Sequence, residues 1–183
     1  MELLLWLDNG ILDAIQQLRC GFLDRFFPLF TRLGDHGWFY ILVAALLLLI
    51  PKTRRAGLTM AIALIFCLVC GNLLLKPLVA RVRPYDANGF TGLLVPPLSD
   101  FSFPSGHTFG AFAVAVSLLY HYKRAGIAAC AAAALMAFSR LYLYVHYPSD
   151  VLGGILLGSA AAFVAHRLVE RLYRKKAQSR KNT

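Results

Sequence analysis

Between Ala56 and Leu75, twenty consecutive residues pass without a charged side chain, and similar runs recur along the chain. About 20 apolar residues carry an α-helix across the hydrocarbon core of a bilayer. Hydrophobic residues make up 58% of the sequence, and the mean hydropathy is +0.61. That is too apolar for an ordinary soluble domain. The runs predict five spanning helices, at about 37–50 (closed by Pro51), 57–80, 105–122, 125–145 and 149–170. Small residues on the last of these, Gly153, Gly154, Gly158, Ser159 and Ala160, predict close contact between helices.

Residues 1–35 read differently. Leu4, Leu7, Ile11, Ile15 and Leu18 recur at helical spacing, as do Phe22, Phe26, Phe30 and Leu33. Charges interrupt every window: Asp8, Asp13, Arg19, Asp24, Arg25 and Arg32. The pattern predicts two short amphipathic helices lying in the membrane interface or dipping into the membrane, with Gly34 and Gly37 ending them. Asp8 cuts the Leu3–Leu7 run too short for a signal-peptide core, so no cleavage is expected. The expectation is an all-α, integral-membrane helical bundle forming one domain over 1–183.

The net charge of +10 raises the question of nucleic acid. The distribution excludes it as a partner, because the bases sit between and after apolar runs and not along one soluble face. With five spans, one side receives 51–56, 121–124 and the segment after 165. Twelve of the Lys and Arg residues fall there, against one acid, Glu170. The other side, with the span ends that carry Lys76 and Arg140, holds seven bases and eight acids. The excess of Lys and Arg predicts that the first side is cytoplasmic, with 171–183 as a basic cytoplasmic tail. The tail's charge also suits anionic lipid, although it reads first as a topology signal.

The opposite side collects unusual chemistry. Lys76 and Arg83 end the second span before Pro84. Pro104-Ser105-Gly106-His107 opens the third. Ser139 and Arg140 close the fourth, and His146 and Asp150 flank the start of the fifth. Ionisable groups near membrane depth are costly and mark function. Lys76 and Arg83 sit where the positive-inside rule disfavours them. On one continuous helix they would share a face, about 10 Å apart along the axis, and close around one anion. Pro104 and Ser105 read as a helix start, whose free N–H groups and dipole suit phosphate, and Gly106 lets the backbone approach. An Asp paired with one nitrogen of His146 fixes its tautomer and leaves the other nitrogen free to attack. His36, His121 and His166 lack such company and read as interfacial residues.

Three of the cysteines, Cys67, Cys70 and Cys130, lie inside apolar runs. The CxxC at Cys67 and Cys70 therefore reads as packing, since redox or zinc chemistry needs polar, accessible surroundings.

Lys76-x6-Arg83-Pro84, Pro104-Ser105-Gly106-His107 and Ser139-Arg140-x5-His146-x3-Asp150 resemble the three signature motifs of the type 2 phosphatidic acid phosphatase superfamily. That superfamily also includes bacterial acid phosphatases and vanadium haloperoxidases. The surrounding spans resemble its membrane lipid-phosphatase branch, and the short amphipathic start resembles small bacterial undecaprenyl-diphosphate phosphatases. The resemblance implies a phosphohistidine mechanism with His146 as nucleophile, Asp150 as its orienting partner and His107 as general acid. Lys76, Arg83, Ser105, Gly106 and Arg140 would bind the phosphate. Neither a metal nor another cofactor is expected, because fixed cations neutralise the charge and only Asp86, Asp100 and Asp150 lie near. The expected substrate is a lipid phosphate or diphosphate in the bilayer of a bacterial-type cell membrane, attacked at its outer face. Undecaprenyl diphosphate is the first expectation; phosphatidic acid or phosphatidylglycerol phosphate is the second. A phosphotransferase and a non-enzymatic anion-binding or transport protein are the rival readings. A transporter would not require the His–Asp pair.

Overall fold

The computed structural model describes residues 2–179, which are mainly helical, with no strand among them. Part of the predicted tail, 180–183 with Arg180 and Lys181, lies outside the described residues. The chain opens with α1 (Glu2–Gln16) and α2 (Gly21–Thr31), which match the two amphipathic segments. The stripe of α1 that carries Leu4, Leu7 and Ile11 is exposed, as is Leu18 just after it, whereas Asp8 and Leu12 are buried. With a bilayer as solvent this is the favourable arrangement, since apolar side chains face lipid and polar groups face the protein.

A 3-10 turn (Arg32–Gly37) joins α2 to α3 (Trp38–Leu49). The boundary expected at Gly34 and Gly37 is a kink and not a gap. Asp35 is extended, and His36 and Gly37 have φ of 51° and 71°. Together α2, the turn and α3 form one apolar stretch, Gly21–Leu49. The second span begins with α4 (Arg54–Phe66), widens into a π-helical segment (Cys67–Leu75) and ends with α5 (Lys76–Val79). After the short α6 (Pro84–Ala87) come α7 (Gly106–His121), α8 (Lys123–Tyr142) and α9 (Pro148–Ser179). All five predicted spans are therefore helices. By length and apolarity four stretches suffice to cross a bilayer: Gly21–Leu49, Arg54–Ala87, Lys123–Tyr142 and Pro148–Ser179. The third predicted span, α7, has 16 residues, about 24 Å of helix.

Despite its shortness α7 is the central element, packed chiefly against α8 and α9. Small residues make this possible. A Cβ on Gly158 of α9 would stand 2.6 Å from the Phe109 carbonyl oxygen, and one on Gly154 would stand 2.9 Å from that of Ser105. The predicted role of these glycines is thus seen directly as backbone-to-backbone approach. At the other end, Tyr122 alone separates α7 from α8, where a Cβ on Gly126 would meet the Leu119 Cα at 2.3 Å. The result is a bundle with two poles. One gathers the start of α7, the start of α9 and the ends of α5 and α8. The other gathers residues 50–54 and 121–123 and the second half of α9.

Candidate active site

The backbone after α5 departs from the expected single helix. Ala80 adopts a left-handed conformation (φ 47°) and Arg83 is extended (φ −73°, ψ 151°). Pro84 forces the second of these, because its ring excludes the helical region for the preceding residue. Lys76 and Arg83 therefore do not share a helix face. They converge instead on Asp100, whose carboxylate pairs with the Lys76 ammonium and accepts from Arg83 Nη2 at 2.6 Å. Arg83 is fixed further by donating to the Asp100 carbonyl at 2.8 Å and the Val145 carbonyl at 2.7 Å. Burial would raise the Asp100 carboxyl, but Lys76 and Arg83 outweigh it and hold the group at about 2.

His146 follows the end of α8 and is buried, with Pro148 restarting the helix as predicted. Its Nδ1 lies 3.7 Å from Asp150 Oδ2, which is too long for a hydrogen bond. Ser102 fills the gap. Its hydroxyl donates to Asp150 Oδ2 at 2.5 Å and its oxygen lies 3.4 Å from His146 Nδ1. With its only proton committed to the carboxylate, Ser102 faces Nδ1 as an acceptor, which favours the Nδ1–H tautomer. Nε2 is left with its lone pair, 3.3 Å from Arg83 Nη1. The rest of Asp150 is equally committed. It accepts from the Tyr147 N–H at 2.9 Å and from Arg81 Nη1 at 2.6 Å.

His107, in the first turn of α7, has Nε2 3.0 Å from Asp35 Oδ1. The ring lies directly over Gly34, where a Cβ would stand 2.4 Å from its Cδ2. Arg140 is buried and donates to Thr31 Oγ1 on α2, while its Nε has no protein partner. Gly106 faces Asn72 and the Lys76 ammonium, at 3.4 and 3.8 Å from an added Cβ. One cavity of about 960 Å³ is lined by Lys76, Arg83, Gly106, His107, Arg140 and His146. Ser105 and Asp150 are buried behind it, Ser105 with its hydroxyl 3.0 Å from that of Thr108. The cavity continues along α3, α4 and the π-helical segment between apolar side chains, among them Ile41, Leu48, Leu64 and Leu68.

Sequence reasoning missed several participants. Asp35 and Thr31 come from the amphipathic segment 1–35, from which no site residue was expected. Asp8, only 2% exposed, holds Arg81 Nη2 at 2.7 Å and the Ser149 N–H at 2.9 Å. The available signal was position, since Asp8 falls one helical turn from Leu12, and those two are the buried residues of α1. His36, read as interfacial, lines the cavity. Among the described residues no group of three or more His, Cys, Asp or Glu is placed to hold a metal ion.

The PAP2 superfamily model matches residues 52–174. The chain belongs to the PAP2 superfamily. It is 39% identical over 127 residues to an undecaprenyl-diphosphatase of Sulfolobus acidocaldarius, a match covering 69% of this chain and 61% of that protein. It is 31% identical to the undecaprenyl-diphosphatase BcrC of Bacillus subtilis, covering 82% of this chain and 77% of that one. Among solved structures, the transmembrane PAP2-type phosphatidylglycerolphosphate phosphatase of Bacillus subtilis superposes with a TM-score of 0.78 at 31% identity, covering 93% and 88% of the two chains. The protein is a multi-pass membrane member of this superfamily.

The electrostatics of the site make a pH prediction. Burial is the main cause, with Arg83 and Arg140 adding to it against the pull of Asp150, that pushes His146 down to about 3. The unfolded chain takes up this proton near pH 6.5, and the folded protein does not until about pH 3. Stability is therefore unaffected above pH 6.5 and falls as pH drops below it. The slope from this one residue approaches about 1.4 kcal/mol per pH unit. Thermal unfolding of the wild type and His146→Gln between pH 7.5 and 4.5 should show a shallower loss in the variant. Parallel curves would refute the assignment.

Proposed function

We propose that this protein hydrolyses a lipid phosphate or diphosphate through a phosphohistidine on His146. The observation that carries the reading is the cavity. Its lining joins Lys76, Arg83, Arg140, His107 and His146 to an apolar stretch between α3 and α4. A lipid presents the matching pair of parts, a phosphate and a tail that stays in the bilayer.

In this reading Lys76, Arg83, Arg140 and the Gly106 N–H bind the non-bridging oxygens of the phosphoryl group, which carry the charge of the transition state. Ser105 braces the turn that presents that N–H. His146 Nε2 attacks phosphorus, and Asp150 acts through Ser102 to hold Nδ1–H. His107, held by Asp35, gives its proton to the leaving oxygen. Water then attacks the phosphohistidine and returns a proton to His107. Fixed cations supply the charge neutralisation. Undecaprenyl diphosphate is the favoured substrate, because both curated relatives above are named for it. A phosphatidylglycerol phosphate is the second reading, favoured by the name of the structural relative. Release of phosphate from a panel of these lipids by the purified protein decides between them. A sample that binds the lipids without releasing phosphate would support the transport reading instead.

The charge asymmetry supports a site at the outer face of a cell membrane with the C-terminus in the cytoplasm. In intact cells a cysteine at the exposed Ala87, in a Cys20→Ser background, should react with an impermeant thiol reagent. A reporter after Thr183 should behave as cytoplasmic. The opposite pattern overturns the orientation.

The two histidines are separable by leaving group. General-acid help is worth roughly 10²–10⁴ in rate, and it matters most for a poor leaving group such as a lipid alkoxide. His107→Ala should be severely impaired on a lipid monophosphate and should partly recover on p-nitrophenyl phosphate. Asp35→Asn should show the same pattern in milder form. His146→Ala should be inactive on both. Equal losses for His107→Ala and His146→Ala on the two substrates, or recovery of the His146 variant, would contradict the roles.

A further inference from the structure

The pole opposite the catalytic site carries a second cluster that the reaction does not use. A cavity of about 400 Å³ opens between the last turn of α7 and the second half of α9, lined by Tyr120, His121, His166, Arg167, Arg171 and Arg174, with Glu170 beside them. On α9, positions 167, 171 and 174 share one helical face and 166 and 170 the adjoining one. From Asp150 to His166 the helix rises about 24 Å, so the two sites are separated by most of a membrane.

The cluster is built and not merely charged. Thr59 on α4 donates its hydroxyl proton to the Arg55 carbonyl at 2.9 Å, so at 2.9 Å from His121 Nε2 it accepts from an Nε2–H. His121 is thereby held in one tautomer with Nδ1 unused. His166 stacks on Tyr120 with ring centroids 4.4 Å apart, and meets the His121 ring edge-on at 5.2 Å. Its Nδ1 is buried and has no protein partner. The one carboxylate present, Glu170, lies 3.9 Å from Arg55 on α4. Among the described residues Arg167, Arg171 and Arg174 have no carboxylate partner. The last carbonyls of α7 add some negative potential, which three unpaired guanidinium groups outweigh.

We propose that this cluster is a second phosphate-binding site, taking the phosphate of an anionic phospholipid headgroup in the leaflet opposite the catalytic site. Guanidinium forks match phosphate oxygens two at a time, and His166, whose Nδ1 has no protein partner, adds a donor on the inner wall. Depth names the lipid. From Pro148 to Ala165 the apolar part of α9 is about 27 Å long, close to the ~30 Å hydrocarbon core. His166 to Arg174 then stand at headgroup level. Free phosphate offers the same chemistry and is the alternative source. The proposal does not depend on the catalytic reading.

The test compares the purified wild type with Arg171→Gln/Arg174→Gln, two exposed positions whose side chains make no contact that holds the fold. Native mass spectrometry reads retention of phosphatidylglycerol against phosphatidylcholine, and thermal shift reads stabilisation by inorganic phosphate. The wild type should retain phosphatidylglycerol preferentially, and the double variant should lose roughly 30-fold of that preference, the weight of two interfacial arginines. Stabilisation by inorganic phosphate that disappears in the variant, with no lipid preference in the wild type, keeps the site and reassigns its ligand to free phosphate. Stabilisation common to both proteins belongs to the catalytic pole. Should the double variant aggregate, Arg174→Gln alone carries the comparison. Identical behaviour of wild type and variant with both probes overturns the proposal and leaves these arginines as a topology signal.

Discussion

Lys76, Arg83 and Arg140 repel one another, and all three are buried at one pole of a membrane bundle. Like charges withdrawn from water must be compensated by fixed partners or by a ligand. Much of the architecture at that pole serves this need. The π-helical segment and short α5 deliver Lys76. The extended backbone before Pro84 swings Arg83 to the same point. Asp100 closes the pair with a carboxylate that remains half exposed. An anion that can be reached from outside is what a phosphate would replace. Arg140 is the least compensated of the three, with a neutral hydroxyl from Thr31 and an Nε without a protein partner.

The first 35 residues are part of the site. Asp8 anchors Arg81, which in turn holds Asp150. Thr31 receives Arg140, and Asp35 meets His107. The kink at Asp35–Gly37 is what turns Asp35 toward α7, and Gly34 is what leaves room for the imidazole. An amphipathic segment thus supports the groups that the three motifs contribute, while its apolar stripe faces lipid.

Legibility divided along physical lines. The five helices, the small-residue contacts on α9 and the convergence of Lys76, Arg83, Gly106, His107, Arg140 and His146 were readable, because hydropathy, charge placement and helix-start chemistry are local properties of sequence. What escaped was long-range or conformational. That Ser102 bridges His146 and Asp150 depends on a loop whose path no periodicity encodes. Asp8 and Asp35 looked like polar interruptions, because a sequence does not say which side of an amphipathic helix faces lipid. The expected single helix from Lys76 to Arg83 failed on a local rule given too little weight, the exclusion of helical backbone before proline. The contacts of His121 and His166 were not legible either, because their partners, Thr59 and Tyr120, come together only through packing of α4, α7 and α9.

The account turns on covalent transfer of phosphoryl to His146. The most direct measurement is rapid quench of the purified protein with a substrate lipid carrying labelled phosphate, followed by peptide mass spectrometry. The account predicts label on His146, stable in alkali and lost in acid, as a phosphoramidate is. It also predicts no label in His146→Ala. Label on another residue, or turnover with full activity and no phosphoenzyme under any quench, would contradict it.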